Sequence, residues 1–321
     1  AQAPIVLMQK KAPDKRPAAT ALSPSVAPSQ KQLGFMLPYT PLHHLLLQNW
    51  HRPLVMTSGN LVNEPQCIEN DVALQELKPI ADYFLLHNRD IVNRLDDSVI
   101  RVDHHQPRIL RRARGYAPES IHMHASLNHD ETILAMGSEL KNTFCLLHLG
   151  EAVLSQHMGD LTDVKTADDY QYALTFYQHI YQRQAEVIAI DKHPGYQASQ
   201  IGHKLAKQQS LPLVEIQHHH AHIAAVMAEN QYPLHANAVL GIALDGLGYG
   251  DDGALWGGEF LLADYREFKR LAHLDYCALP GGTAAIMAPW RYAYAQLKSN
   301  LGTDWFLNYA DTEFCQWLQS Q

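Results

Sequence analysis

The chain has 321 residues, of which 46% are hydrophobic and 18% charged, and its formal net charge is -8 with histidine neutral. The length suffices for two ordinary domains, and the composition excludes an intrinsically disordered protein. The negative net charge argues against a protein whose main role is to coat nucleic acid.

Cysteine usage and the start of the chain bear on its cellular compartment. The cysteines form no CxxC pair and stand far apart, at Cys67, Cys145, Cys277 and Cys315. This spacing favours neither a disulfide framework nor a thiolate zinc site, so we predict a cytoplasmic protein. No run reaches the roughly 18 apolar residues of a membrane span, and the first residues lack the features of a signal peptide. Because the chain begins on the strand-like PIVLM without an initiator methionine, we expect it to be a piece of a larger protein.

The first region is predicted to hold short helices and strands. Residues 11–33 are rich in Pro, Ala, Ser and Lys and are expected to form a connecting loop. Helices are predicted at 41–50 and 71–77, and apolar strands at 54–57 and 81–88. Segments 96–103 and 107–115 resemble a β-hairpin with a basic second strand. Residues 116–131 lack periodicity, so the domain boundary is predicted there.

Alternating strands and helices predict an α/β architecture for the second region. A meander of strands is expected at 132–161. The elements predicted after it are a helix at 165–184, a strand at 186–191, a helix at 197–208, a strand at 211–216, a helix from 218 and a strand at 238–246.

Four histidines crowd the start of the helix predicted from residue 218, in the segment QHHHAHIAAVMAEN. His218 and His222 lie four positions apart, so on a helix they share one face and can bind one metal ion. His219 and His220 point elsewhere, as groups near the metal or on the surface. Spacing alone leaves an incidental histidine pair as the commoner outcome.

Asp245 strengthens the case for a metal site. It ends the predicted strand VLGIALD, and the carboxyl ends of strands in α/β folds are where sites gather. Two imidazoles and one carboxylate suit zinc or ferrous iron and leave positions open for a substrate. No glutamate follows His218, so the HExxH motif is absent and a metalloprotease is disfavoured.

Two glycine-rich segments are candidate anion sites. In LDGLGYGDDGALWGGE, Gly246, Gly248 and Gly250 permit tight turns whose N–H groups suit phosphate oxygens. A glycine-rich hairpin without a ligand fits the same spacing. The later PGGTAAIMAPWR is a glycine turn before a helix, a weaker indication of an anion site.

The first region offers a polar turn and an arginine cluster. TSGN places Ser58 and Asn60 at a predicted strand end, where they suit either a polar clamp or an ordinary turn. The cluster consists of Arg94, Arg101, Arg108, Arg111, Arg112 and Arg114. Such a cluster can hold a triphosphate or an RNA backbone, or it can form a solvated strand face.

Together these stretches resemble the hydrogenase-maturation carbamoyltransferase family, HypF. MLPYTPLHHLL, TSGN, HNRDIVNRLDDSVIR and LRRARGYAP are similar to the later part of its YrdC-like domain. MGSELKNTF, SQHMGDL, HPGY, QHHHAHIAAV, LDGLGYGDDGALWGGE and LPGG…PWR are similar to the first part of its TsaD-like carbamoyltransferase domain. The resemblance implies an α+β YrdC-like domain at 1–118, a linker at 119–131 and an actin/Hsp70-like α/β domain at 132–321, both domains being incomplete.

The resemblance also implies a reaction and its partners. In this family the YrdC-like domain makes carbamoyl-adenylate from carbamoyl phosphate and ATP, with Mg²⁺. The next domain passes the carbamoyl group to the C-terminal cysteine of HypE, giving the thiocarboxamide precursor of the cyanide ligands of NiFe-hydrogenase. A transition metal, Zn²⁺ or Fe²⁺, is expected in the transferase domain, and zinc-finger zinc only in a missing upstream part. The nucleophile is expected from the partner cysteine.

Residue roles follow by matching motifs. The implied nucleotide contacts are Ser58, Asn60, Arg94, Ser98, Arg112, Lys141, Asn142, Gly246, Gly248 and Gly250. The implied metal ligands are His218, His222 and Asp245. Leu247, Thr283 and Ala288 depart from the family pattern, and a further acidic ligand is expected beyond Gln321, so the chain alone is expected to be inactive.

Two other functions are compatible with parts of the sequence. One is tRNA threonylcarbamoylation, which uses relatives of both domains as separate proteins; their fusion in one chain, with RRARGYAP at the junction, favours HypF. The other is a non-catalytic RNA-binding or nucleotide-binding module using the arginines. The negative net charge argues against RNA binding as the main role.

Overall fold

Residues 2–10, 22–62, 64–302 and 316 are described by the computed structural model of this chain, and three β-sheets organise them. The first sheet has the order β2-β1-β3-β4. Its strands are β1 (Ile5–Gln9), β2 (Gln32–Phe35), β3 (Val99–Asp103) and β4 (Gln106–Arg111). Strand β1 runs parallel to β3, while the β3–β4 pair is the antiparallel hairpin predicted from the sequence.

Two short helices accompany this sheet, α1 (Pro41–Leu47) and α2 (Asn70–Glu76). Helix α1 begins where predicted because the Thr40 hydroxyl accepts a hydrogen bond from the His43 N–H at 3.1 Å, and Pro41 suits the first turn. It ends three residues before the predicted position 50.

The strands predicted at 54–57 and 81–88 are wrong. Both segments lie outside regular structure, and Val55 and Tyr83 are 72% and 93% exposed. An apolar run becomes a strand only when a neighbouring strand supplies a ladder, and no described residue pairs with either segment. In the predicted loop, residues 11–21 lie outside the described part of the chain, and β2 already begins at Gln32.

The second sheet has the order β10-β9-β6-β7-β8-β5 and confirms the predicted meander. Its strands are β5 (Ile121–His122), β6 (Ile133–Ala135), β7 (Cys145–His148), β8 (Glu151–Leu154), β9 (Val187–Asp191) and β10 (Leu213–Ile216). Strands β6, β7 and β8 are antiparallel, and β9 and β10 extend the sheet in parallel.

Two helices pack on this sheet as the sequence predicts, α3 (Val164–Ile180) and α4 (Gln197–Gln209). The main hydrophobic core lies beneath them, where Tyr170 and Phe144 are fully buried with ring centroids 5.8 Å apart. Gly202 lets α4 approach the sheet closely, because a Cβ there would lie 2.4 Å from Cγ2 of Ile190. This contact fixes the carboxyl end of β9 relative to α4.

The histidine helix α5 (His218–Glu229) packs on the third sheet, which is an antiparallel meander. Its strands are β11 (Val239–Tyr249), β12 (Leu255–Ala263) and β13 (Phe268–His273). Helices α6 (Thr283–Met287) and α7 (Trp290–Leu301) follow the PGG turn. The glycine-rich segment forms the β11–β12 hairpin.

Asp245 does not end its strand as predicted, because β11 continues to Tyr249. The register with β12 is nevertheless interrupted between Leu244 and Gly248, so Asp245 lies where regular pairing stops. The described residues have a mixed α/β fold in which a four-stranded sheet precedes two further sheets. No helix in the described residues is long and apolar enough to cross a membrane.

Candidate metal centre

Helix α5 and strand β11 bring three potential metal ligands together. The Nε2 atom of His218 lies 2.8 Å from Oδ2 of Asp245 and 3.2 Å from Nε2 of His222. The His222 Nε2 atom lies 3.4 Å from the same carboxylate oxygen. The predicted ligand set therefore converges on one point.

Two of the three distances fit a small divalent cation, whereas the 2.8 Å between His218 and Asp245 is a hydrogen-bond length that a bound ion would lengthen. A tetrahedral zinc ion with bonds of about 2.0–2.1 Å holds its ligand atoms about 3.3 Å apart. The distances from His222 to its two neighbours are 3.2 and 3.4 Å, close to that edge length. The His222 side chain is 58% exposed and that of Asp245 30%, which leaves the His222 side of the cluster open to solvent and to a substrate.

The start of α5 is fastened to β11 by the capping residue. The Gln217 side chain is buried; its Oε1 atom accepts from the His220 N–H at 3.0 Å, and its Nε2 atom donates to the Tyr249 carbonyl at 3.1 Å. One side chain thus caps the helix and holds it against the strand that carries Asp245. The first turn of α5 is thereby positioned relative to the third ligand.

Asp191, at the end of β9, is a site residue that the sequence reasoning missed. Its Oδ2 atom accepts a hydrogen bond from Nδ1 of His218 at 2.6 Å. The hydrogen bonds to Asp191 and then Asp245 raise the pKa of His218 to about 9. The signal for finding it was present, because Asp191 ends the strand EVIAID much as Asp245 follows the apolar run VLGIAL.

Asp245 is held in its charged form. Its hydrogen bonds from His218 and then His222 hold the pKa of the carboxyl far below its usual range. An anionic carboxylate and two imidazole nitrogens are a donor set that suits zinc or ferrous iron.

His219 and His220 are buried, so the surface alternative for them is wrong. The Nε2–H group of His220 donates to the Asp264 carbonyl at 2.6 Å, which ties α5 to the end of β12. The His219 ring lies beside Trp256, with centroids 5.9 Å apart, and burial lowers its pKa. Both histidines therefore hold α5 in place through contacts on the side of the helix away from the ligands.

Glycines let the hairpin pass close to the histidines. A Cβ on Gly248 would lie 2.4 Å from Cε1 of His219 and 2.9 Å from Cδ2 of His218. A Cβ on Gly250 would lie 2.2 Å from Nε1 of Trp256, whereas one on Gly246 would meet no atom within 4 Å. The close approach of the chain therefore gives Gly248 and Gly250 a packing role, whereas a Cβ on Gly246 or on Gly253 would face open space.

An ion pair with a buried carboxylate joins β12 to β13. Nε of Arg270 donates to Oε2 of Glu259 at 2.6 Å, and Glu259 is 1% exposed. The guanidinium lies over the Trp256 ring, 4.0 Å from its centroid. This packing orders the two strands beside the ligand face.

The predicted nucleotide residues Ser58 and Asn60 lie in an exposed turn. The Asn60 amide donates to the Leu61 carbonyl at 2.8 Å, and the Cys67 N–H donates to the Gly59 carbonyl at 2.9 Å. Ser58 is exposed. Their contact with a nucleotide stays a prediction.

Arg94 and Arg112 lie where the first region meets the second. Arg94 pairs with Asp169 on α3 and donates from Nε to the Gln66 carbonyl at 2.6 Å. Arg112 donates from Nη2 to the Glu119 carbonyl at 2.7 Å. These contacts engage the guanidinium groups within the protein, and their proposed place beside phosphates stays a prediction.

The predicted arginine cluster is divided. Arg114 pairs with Asp97 at 2.7 Å and lies over the Tyr39 ring, whereas Arg101 and Arg108 are exposed on the β3–β4 hairpin. Of these arginines, Arg101 and Arg108 therefore lie on a solvent-exposed strand face, whereas Arg114 is engaged in contacts within the protein.

Ser98 is completely buried, and its hydroxyl serves the backbone. It accepts from the Ala113 N–H at 2.8 Å and donates to the Arg114 carbonyl at 3.0 Å. These bonds join the start of β3 to the segment after β4.

We expect Ser98→Ala to lower the free energy of unfolding by about 1–3 kcal/mol, because a buried N–H loses its acceptor. Urea denaturation measures this change. Ser58→Ala, at an exposed serine, is the control and should stay within about 0.5 kcal/mol of the parent. Equal effects of the two substitutions would contradict a structural role for Ser98.

Lys141 and Asn142 form the turn between β6 and β7. Lys141 has a φ of 50°, and Asn142 is 1% exposed, with its amide donating to the Met136 carbonyl at 3.1 Å. The turn is also closed by a bond from the Asn142 N–H to the Gly159 carbonyl at 2.8 Å. Asn142 therefore shapes the turn, and nucleotide binding by this pair stays a prediction.

Three family models match the chain in sequence order. A model described as Telomere recombination, of the Sua5/YciO/YrdC type, matches residues 1–113, and the HypF Kae1-like domain matches residues 128–229. The second subdomain of the carbamoyltransferase Kae1-like domain matches residues 241–320. The chain therefore joins a YrdC-like part to a Kae1-like part.

Curated relatives are similar along most of the chain. Carbamoyltransferase HypF of Rhodobacter capsulatus is 44% identical over 297 residues, which are 92% of this chain and 39% of that protein. Carbamoyltransferase HypF of Synechocystis sp. is 43% identical over 304 residues, 95% of this chain and 38% of that protein. The chain thus spans well under half the length of these relatives.

Solved structures agree with the sequence matches. The crystal structure of full-length HypF in the phosphate- and nucleotide-bound form gives a TM-score of 0.84 at 43% identity, covering 97% of this chain and 39% of that one. The crystal structure of T. kodakarensis HypF gives a TM-score of 0.82 at 37% identity, covering 92% of this chain and 38% of that one. The chain belongs to the HypF family of carbamoyltransferases.

Proposed function

We propose that this chain takes part in carbamoyl transfer during NiFe-hydrogenase maturation, with the C-terminal cysteine of HypE as the acceptor. The observation that carries the proposal is the convergence of His218, His222 and Asp245 within a Kae1-like region of the HypF family. The HypF relatives contain both regions in one chain, which favours this function over tRNA threonylcarbamoylation by separate proteins.

The metal centre is proposed to act on the carbamoyl group. His218, His222 and Asp245 would hold Zn²⁺ or Fe²⁺, and such an ion supplies a Lewis acid that polarises a carbonyl oxygen. The exposed side of His222 leaves room for the carbamoyl donor and the acceptor thiol. Buried His219 and His220 keep α5 fixed while these groups approach.

The nucleophile is proposed to come from the partner, and two of the thiols in the described part of the chain support this. Burial raises the pKa of Cys145 to about 12. Burial and the neighbouring Glu76 carboxyl raise the pKa of Cys67. Since the thiolate is the reactive form, neither cysteine is activated for attack on a carbamoyl group.

The first region is proposed to contribute to forming carbamoyl-adenylate from carbamoyl phosphate and ATP with Mg²⁺. Ser58 and Asn60 offer polar groups in an exposed turn, and Gly246 faces open space in the second region. Cations and N–H groups on oxygens that gain charge are what such an intermediate requires. RNA binding through the exposed arginines of the β3–β4 hairpin remains an alternative use of that surface.

The test uses a full-length protein that contains this sequence. It is incubated with carbamoyl phosphate, ATP, Mg²⁺ and HypE under reducing, metal-replete conditions. AMP release and a HypE cysteine heavier by one carbamoyl group are expected, the latter by peptide mass spectrometry. If neither product forms, the proposed function is wrong; salt-dependent RNA binding without this chemistry would favour the RNA-binding alternative.

A further inference from the structure

Asp191 contacts the candidate metal centre from outside the ligand set. It is the last residue of β9 in the six-stranded sheet, whereas Asp245 belongs to the three-stranded sheet. Its side chain is only 8% exposed. The His218 ring thus lies between carboxylates supplied by two different sheets, at 2.6 Å and 2.8 Å.

Both oxygens of Asp191 accept hydrogen bonds. Oδ2 accepts from Nδ1 of His218 at 2.6 Å, and Oδ1 accepts from the His193 N–H at 2.8 Å. The Asp191 main chain is also held, because the Ser199 hydroxyl on α4 donates to its carbonyl at 2.9 Å. The carboxylate therefore has a fixed position toward the imidazole.

A carboxylate that accepts a hydrogen bond from one imidazole nitrogen keeps the proton on that nitrogen, which leaves the other nitrogen to bind a metal. When a metal ion takes the place of the Nε2 proton, the remaining proton on Nδ1 faces Asp191, and the Nε2 lone pair faces Asp245 and His222. Such outer partners fix the orientation and tautomer of a metal-bound histidine and raise its basicity.

We infer that Asp191 is the positioning residue of the metal centre, holding the His218 ring so that Nε2 binds the metal. This inference rests on the proposed metal centre. It also means that metal binding depends on the six-stranded sheet as well as on α5 and β11. Asp191 itself does not bind the metal.

The substitution Asp191→Asn tests this because it keeps the shape and removes one acceptor. An amide has a single acceptor oxygen, so it cannot serve both the His193 N–H and Nδ1–H of His218. If the NH₂ group faces His218, the imidazole proton is forced onto Nε2, where it blocks the ligand atom. If the oxygen faces His218, the His193 N–H loses its acceptor.

The measurement is Zn²⁺ affinity of the 321-residue chain, by competition with a chromophoric chelator. We expect Asp191→Asn to weaken binding about 10–100-fold and to alter the visible absorption spectrum of the Co²⁺-substituted chain. Asp251→Asn is the matched control: Asp251 lies nearby, pairs with Lys192 at 2.6 Å and should leave both readouts unchanged. Circular dichroism confirms that each variant is folded.

A second readout does not depend on a variant. The ¹⁵N shifts of the His218 ring in the Zn²⁺-bound chain should show a protonated Nδ1 and a metal-bound Nε2. Metal binding through Nδ1, or Zn²⁺ affinity of folded Asp191→Asn equal to the parent's, would overturn the role of Asp191 while leaving the metal centre intact. If the parent chain binds no Zn²⁺ at all, the proposed metal centre is wrong and the role of Asp191 falls with it.

Discussion

Replacing both His218 and His222 with alanine is expected to remove the metal and to lower carbamoyl transfer to HypE about a thousandfold or more. The two rings supply two of the three converging ligand atoms, so the remaining Asp245 carboxylate cannot retain the ion. Loss of a Lewis acid that contributes several kcal/mol to the transition state corresponds to about three orders of magnitude in rate. The full-length protein is assayed by mass spectrometry of the HypE cysteine.

Formation of the adenylate should survive this double substitution, because that step is proposed for residues of the first region, whereas both histidines lie on α5 of the second. AMP release from ATP with carbamoyl phosphate measures this step. His203→Ala is the control, since that ring is half-exposed on α4 and its nearest acidic partner is Glu215 at 3.8 Å. Equal loss of AMP release and of carbamoyl transfer would show that the histidines serve the fold instead of the transfer.

Gly248→Ala is expected to disturb the metal centre by displacing the rings of His218 and His219. Its Cβ would lie 2.4 Å from the His219 ring and 2.9 Å from the His218 ring, distances that force one of them or the β11 backbone to move. Overpacking of this kind costs about 1–3 kcal/mol of unfolding free energy. A displaced His218 ring should also weaken Zn²⁺ binding at least about tenfold, in line with other losses of ligand orientation.

Gly246→Ala provides the matched control two residues away. A methyl group there meets no atom within 4 Å, so stability in urea and Zn²⁺ affinity should match the parent. If ATP binding alone weakens in Gly246→Ala, the predicted nucleotide contact at that glycine gains support. If Gly248→Ala behaves like the parent in both measurements, the close packing of the hairpin on the histidines is wrong.

Local patterns in the sequence sufficed for much of the second region. The i, i+4 spacing of His218 and His222 predicts a shared helix face, and the structure has both rings on the first turns of α5. Short apolar runs bounded by turns predicted β9 and β10 because parallel strands of a sheet covered by helices are apolar along most of their length.

Other features depend on contacts between distant segments, which a local pattern does not contain. The apolar runs at 54–57 and 81–88 look like strands, yet they lack a ladder in the described chain. Asp191 acts on a histidine 27 positions later, and only the tertiary approach of β9 to α5 reveals this. Gly248 likewise packs closely against His219 without a positive φ, a contact that its place in a glycine-rich segment did not reveal.

Anomalous diffraction from crystals of the chain grown with Zn²⁺ tests the metal centre most directly. Data collected on both sides of the zinc absorption edge locate the ion without assumptions about its ligands. The predicted result is one strong peak about 2.0–2.2 Å from Nε2 of His218, Nε2 of His222 and an Asp245 carboxylate oxygen. Stoichiometric zinc bound elsewhere, with no peak among these three side chains, would contradict the account.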